Sequence, residues 1–245
     1  YYGGHAGHAN IASSATSVGS IDNLFYVFGT TSATGANRED PNVPAGTNFY
    51  VYRWVADTDP QAGEHFFGSN ENDYGITFTQ GLTDRHFVLG GYQQNILGGV
   101  KKAYLMLISN RGTNEHPNFR REWSWVDEVY ATNINTRTQI ESAVQVRDGT
   151  VVALMTIENF QQIQAGDHFG LVKISGGATG SDGDVVWSTT FGSNEDDQAA
   201  SVIELADGGL AVLGTIGYPI NTSDIPSESK MVLYKLSANG RLEPE

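Results

Sequence analysis

One seven-residue segment occurs twice in this chain with a single difference, and it sets the framework for the whole fold. The segment reads FGSNEND at residues 67–73 and FGSNEDD at residues 191–197. The offset is 191 − 67 = 124 residues, and a weaker copy lies between the two, so the repeat period is about 62 residues. A chain with such a period is built from similar structural units stacked on one another.

Each copy of the repeat contains short apolar runs bounded by Gly, Asn and Asp, which is typical of strands joined by tight turns. The runs are rich in β-branched and aromatic residues, and we find no long helical apolar stripe. The predicted strands are Ala12–Val18, Asn23–Thr30, Asn48–Val55 and Gly63–Phe67; Gly75–Gln80, His86–Gln93, Lys102–Ser109 and Arg121–Val126; Ile140–Val146, Thr150–Ile157, His168–Ile174 and Asp184–Thr190; and Ala199–Leu205, Leu210–Ile216 and Lys230–Leu236.

Four strands per copy at a fixed period predict an all-β fold, a β-propeller of four-stranded antiparallel blades. We expect about four blades of ~62 residues in a single domain that spans residues 1–245. The approximate repeats are residues 4–67, 68–130, 131–191 and 192–245. The alternative is that these blades form part of a larger ring.

The charge and composition exclude several classes of function. The formal net charge is −14, which repels phosphate backbones, so we do not expect a nucleic-acid partner. The chain has no cysteine, which excludes disulfides and thiolate metal sites. No apolar run approaches the ~20 residues of a membrane helix.

The fourth copy carries the clearest form of the repeat. It contains Trp187, Phe191-Gly192, Asp197, Ala199, Ser201-Val202, Asp207-Gly208-Gly209, Gly214-Thr215 and Lys235-Leu236. This pattern resembles the repeat of secreted and surface-anchored bacterial β-propeller proteins of the Bacteroidetes type. The resemblance spans the whole chain, although the third copy lacks the Phe-Gly turn. It implies an extracellular or outer-membrane location, with a lipid anchor through residues upstream of Tyr1. It implies no catalytic residue.

Two kinds of connection are expected at the same end of the blades, and they supply the candidate binding residues. The Phe-Gly turns join one blade to the next, and the loops between second and third strands differ in every copy (Thr31–Thr47, Gln94–Lys101, Glu158–Asp167 and Tyr218–Ser229). Loops held by a rigid scaffold commonly carry binding residues. The candidates are Asn70, Glu71 and Asp73; Asn194, Glu195 and Asp197; and the loop-flanking tyrosines Tyr92 and Tyr218.

The acidic turns allow two interpretations. Their carboxylates are hard oxygen ligands of the kind that calcium takes, but no EF-hand pattern is present. We favour the interpretation that Asp73 and Asp197 accept hydrogen bonds from backbone N–H groups in a tight turn, and we expect no metal site and no cofactor. The tryptophans Trp125 and Trp187 recur near the start of the outer strand, which predicts packing between blades and not a sugar platform.

No nucleophile elbow, phosphate-binding loop or dinucleotide motif occurs in the chain. We therefore predict a non-enzymatic, extracellular protein-interaction subunit or scaffold, with a membrane-associated protein partner. The alternative is a glycan-binding or glycoside-processing propeller that uses the variable-loop end. An apolar contact surface would favour the first function, and an exposed aromatic ring beside two carboxylates would favour the second.

Overall fold

The computed structural model describes residues 10–11, 25–31, 47–54, 64–83, 85–95, 99–112, 118–132, 135–158, 166–177, 180–193, 195–217 and 229–243. The regular structure within these ranges is β-strand, arranged in four sheets whose consecutive strands pair antiparallel. The all-β class predicted from the sequence is confirmed.

Sheets one and two come from the N-terminal half of the chain, and their strands lie in chain order. Sheet one contains β1 (Asn10–Ile11), β2 (Phe25–Thr31), β3 (Asn48–Trp54) and β4 (Glu64–Phe67). Sheet two contains β5 (Asn72–Gln80), β6 (His86–Gln94), β7 (Lys101–Asn110) and β8 (Phe119–Val126).

Sheets three and four repeat this order. Sheet three contains β9 (Arg137–Gln145), β10 (Val151–Glu158), β11 (His168–Ser175) and β13 (Asp184–Phe191). Sheet four contains β14 (Gln198–Glu204), β15 (Leu210–Ile216) and β16 (Lys230–Leu236). The two-residue strand β12 (Ser181–Asp182) lies between β11 and β13 in the sequence. It pairs parallel with β8 and is the fifth strand of sheet two.

The predicted strands are found in the structure with ends that differ by up to three residues. The exception is Ala12–Val18, which lies outside the described residues; the first strand described is β1. The strand β12 was not predicted, because two residues in a loop carry no periodicity that sequence reasoning can detect.

The four sheets pack face to face in chain order. The first strand of each sheet lies on the sheet before it: β5 on β2 and β3, β9 on β5 to β7, and β14 on β9 to β11. Three apolar cores fill the three junctions. The first junction is rich in aromatic rings, with Phe28 stacked on Phe78 at 5.5 Å and Phe78 on Phe87 at 5.4 Å.

A β-bulge recurs in the first strand of sheets two, three and four. In each sheet one residue of the first strand is skipped in the pairing with the second strand: Ile76, Glu141 and Ala200. Opposite the bulge, Gly91 and Gly214 occupy the same register position, and a Cβ on Gly91 would lie 1.8 Å from the Tyr74 carbonyl oxygen. At Gly91 the bulged backbone therefore leaves no room for a side chain, whereas the matching position of sheet three holds Met155.

Tryptophan and glycine link consecutive sheets at their outer strands. A Cβ on Gly176 would lie 2.3 Å from Nε1 of Trp123, and one on Gly240 would lie 2.6 Å from Cζ3 of Trp187. The two pairs are related by 187 − 123 = 64 and 240 − 176 = 64 residues. The strand register thus makes Trp123, and not Trp125, the counterpart of Trp187. Trp187 acts in packing, as predicted, and Trp123 takes the equivalent role that was assigned to Trp125, because each of the two covers a glycine of the following sheet.

The row of sheets is not closed in the described residues, since the strands of sheet one and sheet four form no extensive contact there. Within that part of the chain, sheet four therefore has a face on which no other sheet packs. Ile203, Met231 and Leu233 on this face are 54%, 78% and 72% exposed. We call this surface the apolar face of sheet four, defined by Ile203, Leu213, Met231 and Leu233.

Candidate functional site at the upper end of the sheets

The two Phe-Gly turns have the same internal hydrogen bonds. The backbone N–H of Ser69 donates to Oδ2 of Asp73 at 2.6 Å, and the Ser69 hydroxyl donates to Oδ1 at 2.9 Å. The corresponding distances from Ser193 to Asp197 are 2.7 Å and 2.7 Å. The predicted role of these aspartates as acceptors for turn N–H groups is confirmed.

Asp73 is fully buried, which disfavours its charged form. Burial raises the pKa of the Asp73 carboxyl from 3.8 to about 7, while the hydrogen bonds from Ser69 oppose this shift. The nearby Glu71 carboxylate adds to the increase in pKa because like charges repel. The turn therefore holds a group that titrates near neutral pH.

The connection from sheet two to sheet three lacks the Phe-Gly turn, and Asp127 takes the role that Asp73 and Asp197 have in the other two connections. Asp127 is fully buried and accepts hydrogen bonds from the backbone N–H groups of Val129, Tyr130 and Ala131 at 2.9–3.1 Å. The Thr138 hydroxyl donates to Asp127 Oδ2 at 2.8 Å. A buried carboxylate thus organises each of the three described connections between sheets, even where the sequence motif is lost.

Each turn is bonded to the end of the variable loop of the preceding sheet. Asp73 N–H donates to the Thr47 carbonyl at 2.9 Å, and Asp197 N–H donates to the Asp167 carbonyl at 2.9 Å. Asn95, which follows β6, donates to the Glu71 carboxylate at 3.2 Å. The turns and the described ends of the loops therefore lie at the same end of the sheets, as predicted, and we call this the upper end.

The predicted binding residues have different degrees of exposure at the upper end. Asn70 and Glu195 are exposed and Glu71 is half-buried, so a ligand there can reach them. Asp73 and Asp197 are buried, and their carboxylate oxygens are occupied by the serines of their own turns. Asn194 and Tyr218 lie outside the described residues. A binding role for any of these residues stays a prediction.

Tyr92 lies in an aromatic and charged cluster at the upper end of sheet two. Its ring is stacked on Tyr74 with centroids 4.7 Å apart, and the Lys101 ammonium is 4.5 Å from the centre of the Tyr92 ring. Lys101 also forms an ion pair with Glu158 at 3.2 Å, and Arg137 approaches the other Glu158 oxygen at 3.9 Å. We call this group the tyrosine–glutamate cluster, formed by Tyr74, Tyr92, Lys101, Glu158 and Glu141.

Glu141 is the second carboxyl group of this cluster and occupies the bulge position of β9. Burial raises the pKa of Glu141, while hydrogen bonds with Gln139 and Thr156 oppose the shift. The charges of Lys101 and Glu158 also act on Glu141, in opposite directions. The cluster therefore contains one carboxyl group whose pKa is raised by burial and another that is paired with two cations.

Sequence reasoning identified Tyr92 but missed the other members of the cluster. Tyr74 was not among the candidates, and it lies just before the predicted start of its strand at Gly75, whereas β5 begins at Asn72. An aromatic pair facing across two adjacent strands would have been the available signal. Glu141 and Glu158 gave no signal, because single glutamates in an acidic chain are not distinctive.

Among the described residues, no three His, Asp or Glu side chains are grouped closely enough to hold a metal ion. The calcium interpretation of the acidic turns stays untested. In the same part of the chain, the structure contains no helix long and apolar enough to cross a membrane.

No protein-family model matches this chain, and no curated protein matches it. Among solved structures, a mutant β-fructofuranosidase from Microbacterium saccharophilum K-1 is similar, with a TM-score of 0.42 and 9% sequence identity. The similarity covers 91% of this chain and 55% of that enzyme, so this chain spans little more than half of the enzyme's length. A similarity this distant assigns no activity, and function must be argued from the chain's own residues.

Proposed function

We propose that this chain is a non-enzymatic β-propeller module that acts as a protein-interaction subunit of a larger assembly. The apolar face of sheet four carries this proposal. Met231 and Leu233 are 78% and 72% exposed on a regular sheet surface. Contiguous exposed apolar surface on a soluble domain commonly marks a contact with another protein, because its burial releases free energy.

The propeller architecture is the second part of the proposal. Three sheets with four consecutive antiparallel strands and a fourth with three follow one another in chain order, and the first strands of sheets two, three and four each lie on the sheet before. This arrangement supports blades around an axis, in a closed ring of four or in part of a larger ring. We also propose an extracellular or outer-membrane location with a lipid anchor, on the basis of the sequence resemblance alone.

A pull-down from source membranes tests the interaction role. The native chain and a Leu233→Lys variant are used as baits, and co-purified proteins are identified by mass spectrometry. We expect a stoichiometric protein partner with the native chain and its loss with Leu233→Lys, because a charge cannot be buried there without a large desolvation cost. A matched control is Leu82→Lys, which changes a 48% exposed leucine between β5 and β6. Equal recovery with all three baits would contradict the proposal.

The tyrosine–glutamate cluster favours a second candidate function, carbohydrate binding or processing at the upper end. Tyr74 and Tyr92 present an aromatic pair, and Glu141 and Glu158 are two carboxyl groups in unlike environments. Aromatic rings with a few polar groups line many small-molecule sites, and glycoside hydrolysis uses a pair of carboxyl groups.

A glycan array with the purified chain tests this second function. We expect a bound glycan to be lost in Tyr74→Ala and in Glu158→Gln, whereas Leu233→Lys should bind it normally because Leu233 is on the face of sheet four that points away from sheet three. If the native chain hydrolyses a bound glycan and the Glu141→Gln variant does not, the chain is a glycoside-processing enzyme. Binding of no glycan by the folded native chain would exclude this candidate.

A further inference from the structure

We propose that the apolar face of sheet four is covered by sheet one of a second copy of this chain. This inference rests on the proposed role of that face in protein interaction, and it names the occupant. It follows from the internal repeat, which shows how an equivalent face is covered elsewhere in the same molecule.

Sheets three and four have the same strand register, so their residues can be matched individually. Leu154 pairs with Leu171 in sheet three, and Leu213 pairs with Leu233 in sheet four. The pairing of first and second strands also matches, including its bulge. On the face toward the following sheet, the matched sets are Leu154, Phe169 and Leu171 in sheet three and Leu213, Met231 and Leu233 in sheet four.

These matched positions are buried in sheet three but open in sheet four. Phe169 and Leu171 are 0% exposed in the core shared with sheet four, whereas Met231 and Leu233 are 78% and 72% exposed. The side chains are apolar in both sheets. Sheet four therefore has the surface of an interior sheet, although no described residue forms a sheet on top of it.

Elsewhere in the chain, the cover for such a face is the first strand of another sheet of the same repeat. At the junction of sheets three and four, Ala199 and Val202 of β14 share a core with Leu154 and Phe169. The Val202 N–H also donates to the Ser142 hydroxyl across this junction at 3.2 Å. The occupant that fits the apolar face of sheet four is thus a sheet of this repeat.

The complementary face lies on sheet one, at the other end of the row of described sheets. By strand register, Val27 and Tyr50 of sheet one match Val212 and Val232 of sheet four. Val212 is 0% exposed against the preceding sheet, whereas Val27 and Tyr50 are only partly buried. Because the described strands of sheets one and four are not packed together within one chain, a second copy can join them.

Two copies joined at both ends would form a closed ring of eight sheets. Propellers commonly have about four to eight blades, so this number is within the known range. The two junctions would be related by a two-fold axis, which leaves no free end from which a filament could grow. Each junction would repeat the packing already present three times within the chain.

Charge repulsion opposes this association and gives it a distinctive salt dependence. Each copy carries a formal net charge of −14, so two copies repel at low ionic strength. Added salt screens this repulsion, while apolar contact at the junctions is not weakened. We therefore expect self-association to strengthen with sodium chloride.

Sedimentation velocity of the full chain tests the proposal. We expect a concentration-dependent dimer that is favoured by added salt. Leu233→Lys should be monomeric because it blocks sheet four, and Val27→Lys should be monomeric because it blocks sheet one. The control Leu82→Lys should remain dimeric. Circular dichroism verifies that each variant is folded, and Tyr50→Lys replaces Val27→Lys if the latter does not fold.

A mixing experiment identifies the two faces. A mixture of Leu233→Lys and Val27→Lys retains one intact junction, so we expect a heterodimer although each variant alone is monomeric. A dimer of Val27→Lys alone would overturn the proposal, because two copies would then meet through their sheet-four faces.

A native chain that is monomeric at every concentration and salt level would also overturn the proposal. The membrane pull-down then separates the two claims. Loss of a partner in Leu233→Lys would leave the proposed function standing without self-association, whereas equal capture by all baits would remove both.

Discussion

Asp73 couples the stability of the second sheet to pH. Its pKa is about 7 in the folded chain and 3.8 ordinarily, so the folded state holds its proton more tightly. The resulting stabilisation is fully present below pH 3.8 and is lost as pH rises through about 7. Protonated Asp73 keeps the turn closed without a buried charge, and ionised Asp73 must bear the desolvation cost.

We predict that Asp73→Asn makes the free energy of unfolding less dependent on pH. Relative to the native chain, the variant should gain stability between about pH 4 and about pH 7, by a few kcal/mol at most. Urea unfolding at several pH values measures this difference. Glu128→Gln is the control, since it removes one negative charge from an exposed position. Parallel pH profiles for Asp73→Asn and the native chain would contradict the prediction.

Gly240 combines two requirements that can be separated by substitution. Its φ is +72°, and a Cβ would lie 2.6 Å from the Trp187 ring. Gly208 has a φ of +82°, but a Cβ added there would have no other atom within 4 Å. Both glycines therefore need a left-handed backbone conformation, and only Gly240 is also in contact with a tryptophan, Trp187.

We predict that Gly240→Ala destabilises the chain more than Gly208→Ala does. Gly208→Ala should cost about 1 kcal/mol for the left-handed backbone alone. Gly240→Ala should cost about 1–3 kcal/mol more, because the Trp187 ring must move from its packed position. Thermal and urea unfolding of both variants provide the measurement. Equal costs would show that the link between sheets three and four tolerates an extra methyl group.

At the scale of the strand, identical register positions have different energetic roles in successive sheets. We predict that Leu171→Ala in β11 costs about 2–5 kcal/mol, because it leaves a cavity in a closed core. The matched change Leu233→Ala in β16 should cost under about 0.5 kcal/mol in a dilute, monomeric sample, because that side chain is 72% exposed. A large cost for Leu233→Ala at low concentration would indicate that the face is covered within the chain.

The strand patterns also show which parts of the fold and site were predictable. Apolar runs such as those of β10 and β15 indicated strands correctly, because both faces of an interior strand need apolar side chains. The turn aspartates were assigned correctly, because a short polar side chain in a Gly-containing turn has few other roles. Asp127 was missed because it is not part of the repeated Phe-Gly motif. Its hydrogen-bond donors also follow it in the sequence, whereas the donors to Asp73 and Asp197 precede them.

At the scale of the whole molecule, backbone amides in sheet four should be less protected from solvent than those in sheet three. β11 is buried between two sheets, whereas β16, its counterpart in sheet four, is open on one face. We predict that backbone amides of β16 exchange with deuterium faster than those of β11 in the monomer, because local opening of β16 exposes less apolar surface. Hydrogen exchange followed by mass spectrometry measures this, and dimer formation should slow exchange in β16.

The amino-acid sequence by itself determined the all-β class, the order of the strands and the residues that form the turns, because these depend on local periodicity and turn chemistry. Only the tertiary structure decided that Tyr74 stacks on Tyr92, that Trp123 is the counterpart of Trp187, and that Leu233 is open where Leu171 is closed. The physical reason is that exposure depends on what packs against a face, and two sheets with the same apolar pattern differ when a neighbour is present on only one of them.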